Sequence, residues 1–456
     1  MTGLFAKRAL LTTGWAEQVR LTLREGKISA ITENARPEQD DCQVDSLLPA
    51  LANLHSHSFQ RAMAGMTEYR MAGRDSFWTW RELMYRFTAH LSPEQIEAIA
   101  ALVFLEMQEA GYASVGEFHY LHHQIDGSAY DNLAEHSDRI MAAAAQTGIG
   151  LTHLPVLYSY AGVGKVPLEA GQKRFGNDAD QFCKLVEQAR RAASALPADY
   201  QVGIAPHSLR ATAPDDLARV LQAQPAGCPV HIHIAEQPKE VQEVQAGLGA
   251  RPVEWLLANA PVDQNWCLIH ATHMTQAETR AMAASGAVAG LCPITEANLG
   301  DGPFNGATYL EAGGAFGVGS DSNVLISLTE ELRTLEYSQR LRDLSRNVLV
   351  QGEGSVGRAL YTGAAKGGAQ ALGRVAGEIA VGKWADLVAV DSTHPSLCAL
   401  TDTQLLDGIV FAAKDEVVTD LWSAGRHCVQ AGRHVARDQI LAQYRSAISD
   451  LLAQIG

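Results

Sequence analysis

Leu47-Leu48-Pro49-Ala50-Leu51-Ala52-Asn53-Leu54-His55-Ser56-His57 is an apolar run that ends in two histidines one residue apart. Read as a buried strand, it alternates its side chains between two faces, so His55 and His57 point the same way. Both imidazoles then reach one point just beyond the strand's end. That arrangement suits a divalent metal such as zinc, which takes histidine nitrogen at roughly 2.0–2.1 Å. Two surface histidines in a loop would spell the same motif, so the chain around it has to decide.

Downstream, apolar runs alternate with helical patterns. Ser92-Pro93-Glu94-Gln95 offers an N-cap, a proline at the first helical position and a glutamine at N3, ahead of a helix reaching Ala110. Strands are expected at 114–120, 148–158, 201–207, 229–234, 266–270, 287–292 and 315–320. Helices are expected near 132–146, 178–195, 214–222 and 276–284. With the opening run this makes eight strands, and the simplest closed solution is an α/β fold, a (β/α)8 TIM-type barrel over residues 47–374. The alternative is a doubly wound open sheet, to which no dinucleotide fingerprint lends support.

The two chain ends read differently. Trp15 to Leu23 alternates toward its end, Arg24-Glu25-Gly26-Lys27 makes a turn, and Ile28-Ser29-Ala30-Ile31 follows. Residues 377–391 and 417–432 repeat this strand-and-turn style. Neither end is large enough for a good core. Residues 1–46 and 375–436 are therefore expected to form one small β-sandwich domain with the barrel inserted, and 437–456 a C-terminal helix.

Composition narrows the partners. The chain has 456 residues and a formal net charge of −15, which argues against general binding to nucleic acid. Its seven cysteines are odd in number, widely spaced and without Cys-x-x-Cys, so neither a disulfide framework nor a thiolate zinc cluster is expected. No signal-peptide pattern opens the sequence and no apolar run has membrane-span length. A soluble cytoplasmic protein with no membrane partner is the expectation.

In barrels of this type the active site gathers at the C-terminal strand ends. Those ends carry His55 and His57, Glu117-Phe118-His119-Tyr120, His207, His231-Ile232-His233-Ile234-Ala235-Glu236, His270 and Asp321. Each alone is more often structural, but their recurrence at one end of separate strands points to a site. His55, His57, one histidine of the fifth strand and Asp321 make a set of three nitrogens and one oxygen, which suits a catalytic zinc with room for water. His231 and His233 share a face. His233 is chosen as the ligand because it lies nearer the strand end, with Glu236 three residues on; His231 is expected a layer deeper.

This constellation, with Gly382-Lys383-Trp384-Ala385-Asp386-Leu387 closing a split β domain, resembles the amidohydrolase superfamily over nearly the whole chain. Many dinuclear members carry a lysine on strand 4. Here that strand reads Val202-Gly203-Ile204-Ala205-Pro206-His207, so one metal is expected, zinc first, with iron or another divalent ion as alternatives. The His233 to Glu236 spacing resembles the deaminase branch. The roles that follow are Asp321 accepting a proton from the attacking water, His270 steadying that water or the oxyanion, and Glu236 carrying a proton to the departing nitrogen.

For the substrate, Gln60 and Arg61 follow the metal strand, Tyr120 ends strand 2, and His207-Ser208-Leu209-Arg210 follows strand 4. Arg81, within Phe77-Trp78-Thr79-Trp80-Arg81, lies on a long segment placed as a lid would be. Arginine pairs naturally with carboxylate, whereas a nucleobase pocket does not call for it. At finer grain, residues 55–61, 205–210 and 292–302 are similar to the formimidoylglutamate deiminase family. That resemblance implies zinc-dependent hydrolysis of N-formimidoyl-L-glutamate, a step of histidine degradation, to N-formyl-L-glutamate and ammonia. It also implies substrate contacts at Gln60, Tyr120, His207, Arg210 and His270, and a homodimer. Arg81 is added from its arginine chemistry alone. The alternatives are a related deaminase acting on a guanidine, pterin or nucleobase, or a binding protein on an inactive barrel.

Overall fold

The computed structural model describes residues 2–68 and 77–455, without the side chains of 77–79. The expected lid residue Trp78 therefore has its side chain outside the described residues, while Trp80 and Arg81 lie within them.

Four strands open the chain: β1 (Thr2–Leu11), β2 (Gly14–Arg24), β3 (Lys27–Thr32) and β4 (Cys42–Pro49). Four more come from its other end: β14 (Leu387–Val390), β15 (Val418–Ser423), β16 (Arg426–Gln430) and β17 (Arg433–His434). They form one eight-stranded sheet in the order β17-β16-β15-β14-β4-β1-β2-β3. The sheet curls so that Gly26 and Ile28, at its β3 edge, hydrogen bond to the 382–385 segment leading into β14. Leu4, Leu21, Ile28, Leu387 and Trp422 fill the space inside. This unit also holds the helix Asp402–Phe411, which packs on the barrel helices Leu328–Asp343 and Val356–Ala371.

Between the two ends lie β5 (Leu51–Ser56), β6 (Tyr112–His119), β7 (Gly150–Leu157), β8 (Gln201–Val202), β9 (Ala205–Pro206), β10 (Val230–Ile234), β11 (Trp266–His270), β12 (Val288–Leu291) and β13 (Ala315–Val318). β5 to β8 and β10 to β13 run as parallel ladders. A parallel bridge between Ile204 and Val230 joins the two groups on one side, and one between Ser56 and Asp321 joins them on the other. The result is a closed barrel of eight strand positions, the fourth broken into β8 and β9 at Gly203 and Ile204. The string Gly352-Glu353-Gly354-Ser355-Val356-Gly357 does have the Gly-x-Gly-x-x-Gly spacing. It opens the helix Val356–Ala371, but residues 344–351 before it form no strand, so the dinucleotide context is missing.

The decisive run 47–57 is two strands, not one. Leu47 to Pro49 pair with β14 in the small sheet, while Leu51 to Ser56 form the first barrel strand. The expected boundary at 46/47 thus falls inside β4. Apolar residues continue through the junction because both units bury them, so composition does not change where the fold does. The capping box at Ser92 forms as its residues require: Gln95 N–H donates to Ser92 Oγ, and Ser92 N–H donates to Gln95 Oε1.

A buried ion network fastens the two units together. Arg374, fully buried, donates to Asp386 at 2.6 and 2.9 Å and to Asp199 at 3.2 Å. Arg426 of β16 also donates to Asp199. Removing one member strands buried charge, which costs about 3–5 kcal/mol. Arg374→Met is expected to lose about that much stability, read as a lower urea midpoint with an unchanged slope.

Candidate active site

The backbone bonds that close the barrel also assemble the site. His57 N–H donates to Asp321 O, and Asp321 N–H to His55 O, both at 2.9 Å. His233 N–H donates to His207 O at 3.0 Å. Several of these strand-end residues adopt positive φ without being glycine: Ala235 (51°), His270 (65°), Ala271 (48°) and Asp321 (46°). That region is disfavoured for side chains with a Cβ, and such strain gathers at functional sites.

His55, His57, His233 and Asp321 are all buried, and one ligand atom from each lies within 4.8 Å of the others. His55 Nε2 is 3.1 Å from His233 Nε2 and 3.3 Å from Asp321 Oδ1; His57 Nε2 is also 3.3 Å from Asp321 Oδ1. Bonds of roughly 2.0–2.1 Å from a tetrahedral ion give ligand–ligand edges of about 3.3–3.4 Å, close to these separations. The tautomers agree. His57 Nδ1 faces Phe118 O at 2.7 Å and His233 Nδ1 faces His207 O at 3.1 Å. A carbonyl can only accept, so both Nδ1 atoms carry hydrogen and both Nε2 atoms present lone pairs. Burial pushes His55 down to about 3 and also lowers His57 and His233, so all three rings are neutral. Burial works against ionisation of Asp321, but His55, His57 and His270 together hold its carboxyl below the usual range. The residues fit a divalent ion. His231 faces away from this point, with Nε2 2.8 Å from Ala371 O.

Around these four residues lies a cavity lined by Gln60, Arg81, Tyr120, His207, Arg210, Glu236 and His270 together with His57, His233 and Asp321. Burial, aided by Glu240 and Asp321, pushes Glu236 up to about 7 against His270 and Arg210. Burial alone would lower His270, but Glu236, a hydrogen bond to Glu296 and Asp321 push it up to about 10. Gln60 Nε2 donates to Tyr120 Oη at 2.8 Å. Arg210 is buried, with Glu236 Oε2 at 4.0 Å, Glu240 Oε2 at 3.9 Å and no hydrogen-bond partner for Nε. Arg81 lies over the Tyr85 ring and donates to its hydroxyl. Arg61 is not part of the cavity; it is paired with Glu106 and donates to the carbonyls of Asn323 and Val324.

Three buried carboxylates escaped the sequence reading of roles. Glu240 accepts the backbone N–H groups of Ala235 and Glu236, and Glu296 lies against His270. Glu117 accepts both N–H and Oγ–H of Ser58, beside His57. The available signals were the four-residue step from Glu236 to Glu240 and the place of Glu296 in the 292–302 run. Burial pushes Glu117 up to about 7, well above an unfolded glutamate near 4.3. Between those values the native state binds the extra proton, so this group makes stability fall as pH rises. Glu117→Gln is expected to flatten that fall in urea midpoints taken from pH 4.5 to 7.5.

These features define a metal-dependent hydrolase site on a (β/α)8 barrel. The Amidohydrolase family model matches residues 46–428, and the chain belongs to the amidohydrolase family. A second model, described as Formimidoylglutamate deiminase HutF, N-terminal domain, matches residues 1–44. At the level of individual proteins, the chain is 49% identical over 454 residues to the formimidoylglutamate deiminase of Pseudomonas aeruginosa, covering 99% of this chain and 100% of that one. It is 25% identical to a 5-methylthioadenosine/S-adenosylhomocysteine deaminase of Natronomonas pharaonis, over 91% of this chain and 87% of that one. Among solved structures, an amidohydrolase from Brucella melitensis superposes with a TM-score of 0.95 at 48% identity, covering 99% of this chain and 100% of the other.

Proposed function

We propose that the chain hydrolyses N-formimidoyl-L-glutamate to N-formyl-L-glutamate and ammonia, with zinc at the His55, His57, His233 and Asp321 site. The observation that carries this reading is near-full-length identity of 49% to a formimidoylglutamate deiminase. The two arginines in the cavity, Arg81 and Arg210, match the two carboxylates of that substrate.

His55, His57, His233 and Asp321 would hold a divalent ion, which would supply Lewis acidity and lower the pKa of water to about 7. Asp321 accepts the proton of the water that attacks the amidine carbon. His270 steadies the oxygen as its charge develops. Glu236 takes the hydroxyl proton of the tetrahedral adduct and passes it to the terminal nitrogen, which leaves as ammonia as the C=O bond forms, while the other nitrogen stays with the glutamate skeleton as the formamide. Gln60, Tyr120 and His207 hold the substrate beside the two arginines. Glu236 also pairs with the cationic amidine before attack.

The same reading gives the organisation of the enzyme: a barrel from Leu51 to residue 374, a small domain from the two ends and a C-terminal helix after 436. It also gives a homodimer, a cytoplasmic location and a place in histidine degradation, with no nucleic-acid partner. Sedimentation tests the dimer.

The direct test is ammonia release by zinc-replete protein with N-formimidoyl-L-glutamate, N-formimidoyl-L-aspartate, guanine and adenosine. Preference for the glutamate derivative, lost on chelation and restored by zinc, is the expected result. Turnover of a nucleobase alone would overturn the substrate and retain the metal chemistry.

A further inference from the structure

Behind His270 stands a carboxylate with no part in the steps above. Glu296 lies on the short helix Pro293–Leu299 that follows β12. Its Oε1 is 3.2 Å from His270 Nδ1 and accepts the N–H of Cys292 at 2.9 Å. Both side chains are buried, His270 at 1% exposure and Glu296 at 6%, so water competes little for the contact. The oxygen that accepts the Cys292 N–H also stands as acceptor to the ring, which places hydrogen on His270 Nδ1. The opposite ring nitrogen, Nε2, then lies 3.8 Å from Glu236 Oε1 and 3.8 Å from Asp321 Oδ2.

Two further observations show why the ring needs such a partner. The backbone of His270 sits at φ 65° and that of Ala271 at 48°, so the chain leaves β11 through a strained turn. The rings of His55 and His233 lie 6.1 and 5.6 Å away, stacked or edge-on, and restrain the plane of His270 without choosing which nitrogen faces the cavity. Capping accounts for the Cys292 contact, but not for a carboxylate lying against a ring on the neighbouring strand.

We propose that Glu296 is a positioning residue for the deimination: it holds His270 by Nδ1–H and thereby aims Nε2 at the space between Glu236 and Asp321, where the attacking oxygen stands. The inference rests on the role given to His270 in the proposed function. Glu296 is not among the residues that line the cavity; it acts through the ring.

The experiment compares Glu296→Ala, Glu296→Gln and His270→Ala with the parent, all as full chains with equal zinc content. Ammonia release gives kcat and KM, and nitrogen-15 spectra of labelled histidine report which ring nitrogens of His270 carry hydrogen and their hydrogen bonding, assigned by the loss of the signal in His270→Ala. Glu296→Ala is expected to lower kcat about 10–100-fold, the range for partners that orient a site's ligands, with KM within about threefold. Added formate should restore part of that kcat in Glu296→Ala and change nothing in the parent. Glu296→Gln, which keeps an oxygen acceptor, should fall between and retain Nδ1–H. It carries the test if the alanine variant does not fold. Parental kcat in either Glu296 variant, a loss confined to KM, or an unaltered His270 signal in Glu296→Ala would each overturn the inference. Parental kcat in His270→Ala would instead overturn the reading on which it rests.

Discussion

Glu236→Gln is expected to lower kcat for ammonia release by about 10²–10⁴-fold, the range set by losing a positioned general acid–base group. The geometry makes this substitution informative. Glu236 is buried and its backbone N–H is fixed by Glu240, so a glutamine of the same shape keeps its place. What it loses is the capacity to take up and deliver a proton. Burial pushes Glu236 up to about 7, so near neutral pH the carboxyl exists in both forms and can do both. The four proposed metal ligands are separate side chains, so metal content should be unchanged, and its measurement separates a lost proton carrier from a lost metal. Ammonia release within tenfold of the parent would remove Glu236 from the proton-transfer role.

Arg210→Met is expected to cost about 2–5 kcal/mol in transition-state binding of a dicarboxylate, the range for truncating one partner of a buried charge pair. That corresponds to roughly 10²–10³ in kcat/KM at the middle of the range. The guanidinium sits 3.9–4.0 Å from two carboxylates and makes a close bond to neither, leaving its donors for a substrate carboxylate. Part of the loss will fall on kcat, because Arg210 is one of the groups that opposes the rise of Glu236. Formamidine, an amidine with no carboxylate, separates the two effects. Its turnover should fall only by the kcat component, while the glutamate derivative loses both. Equal losses on the two substrates would mean that Arg210 serves Glu236 rather than a carboxylate.

Much of this molecule was legible in one dimension because its signals are local. A two-residue period puts His55 and His57 on one face. Alternating apolar runs and capped helices give eight strands, and the types of residue at their ends name the chemistry. The preference for His233 over His231 also came from position along a strand; in the structure His233 clusters with His55, His57 and Asp321, and His231 faces Ala371.

Tertiary structure decided what depends on which strands become neighbours. The run 47–57 divides at Ala50 between two sheets because each has its own partner for it, β14 on one side and β6 on the other. Arg61 and Arg81 look alike in sequence, yet Arg61 is consumed by Glu106 and Arg81 lines the cavity. Glu296 reaches His270 only because β11 and β12 lie side by side, joining residues 26 positions apart. Periodicity reports which face of a strand a side chain occupies; closing the barrel determines what stands opposite it.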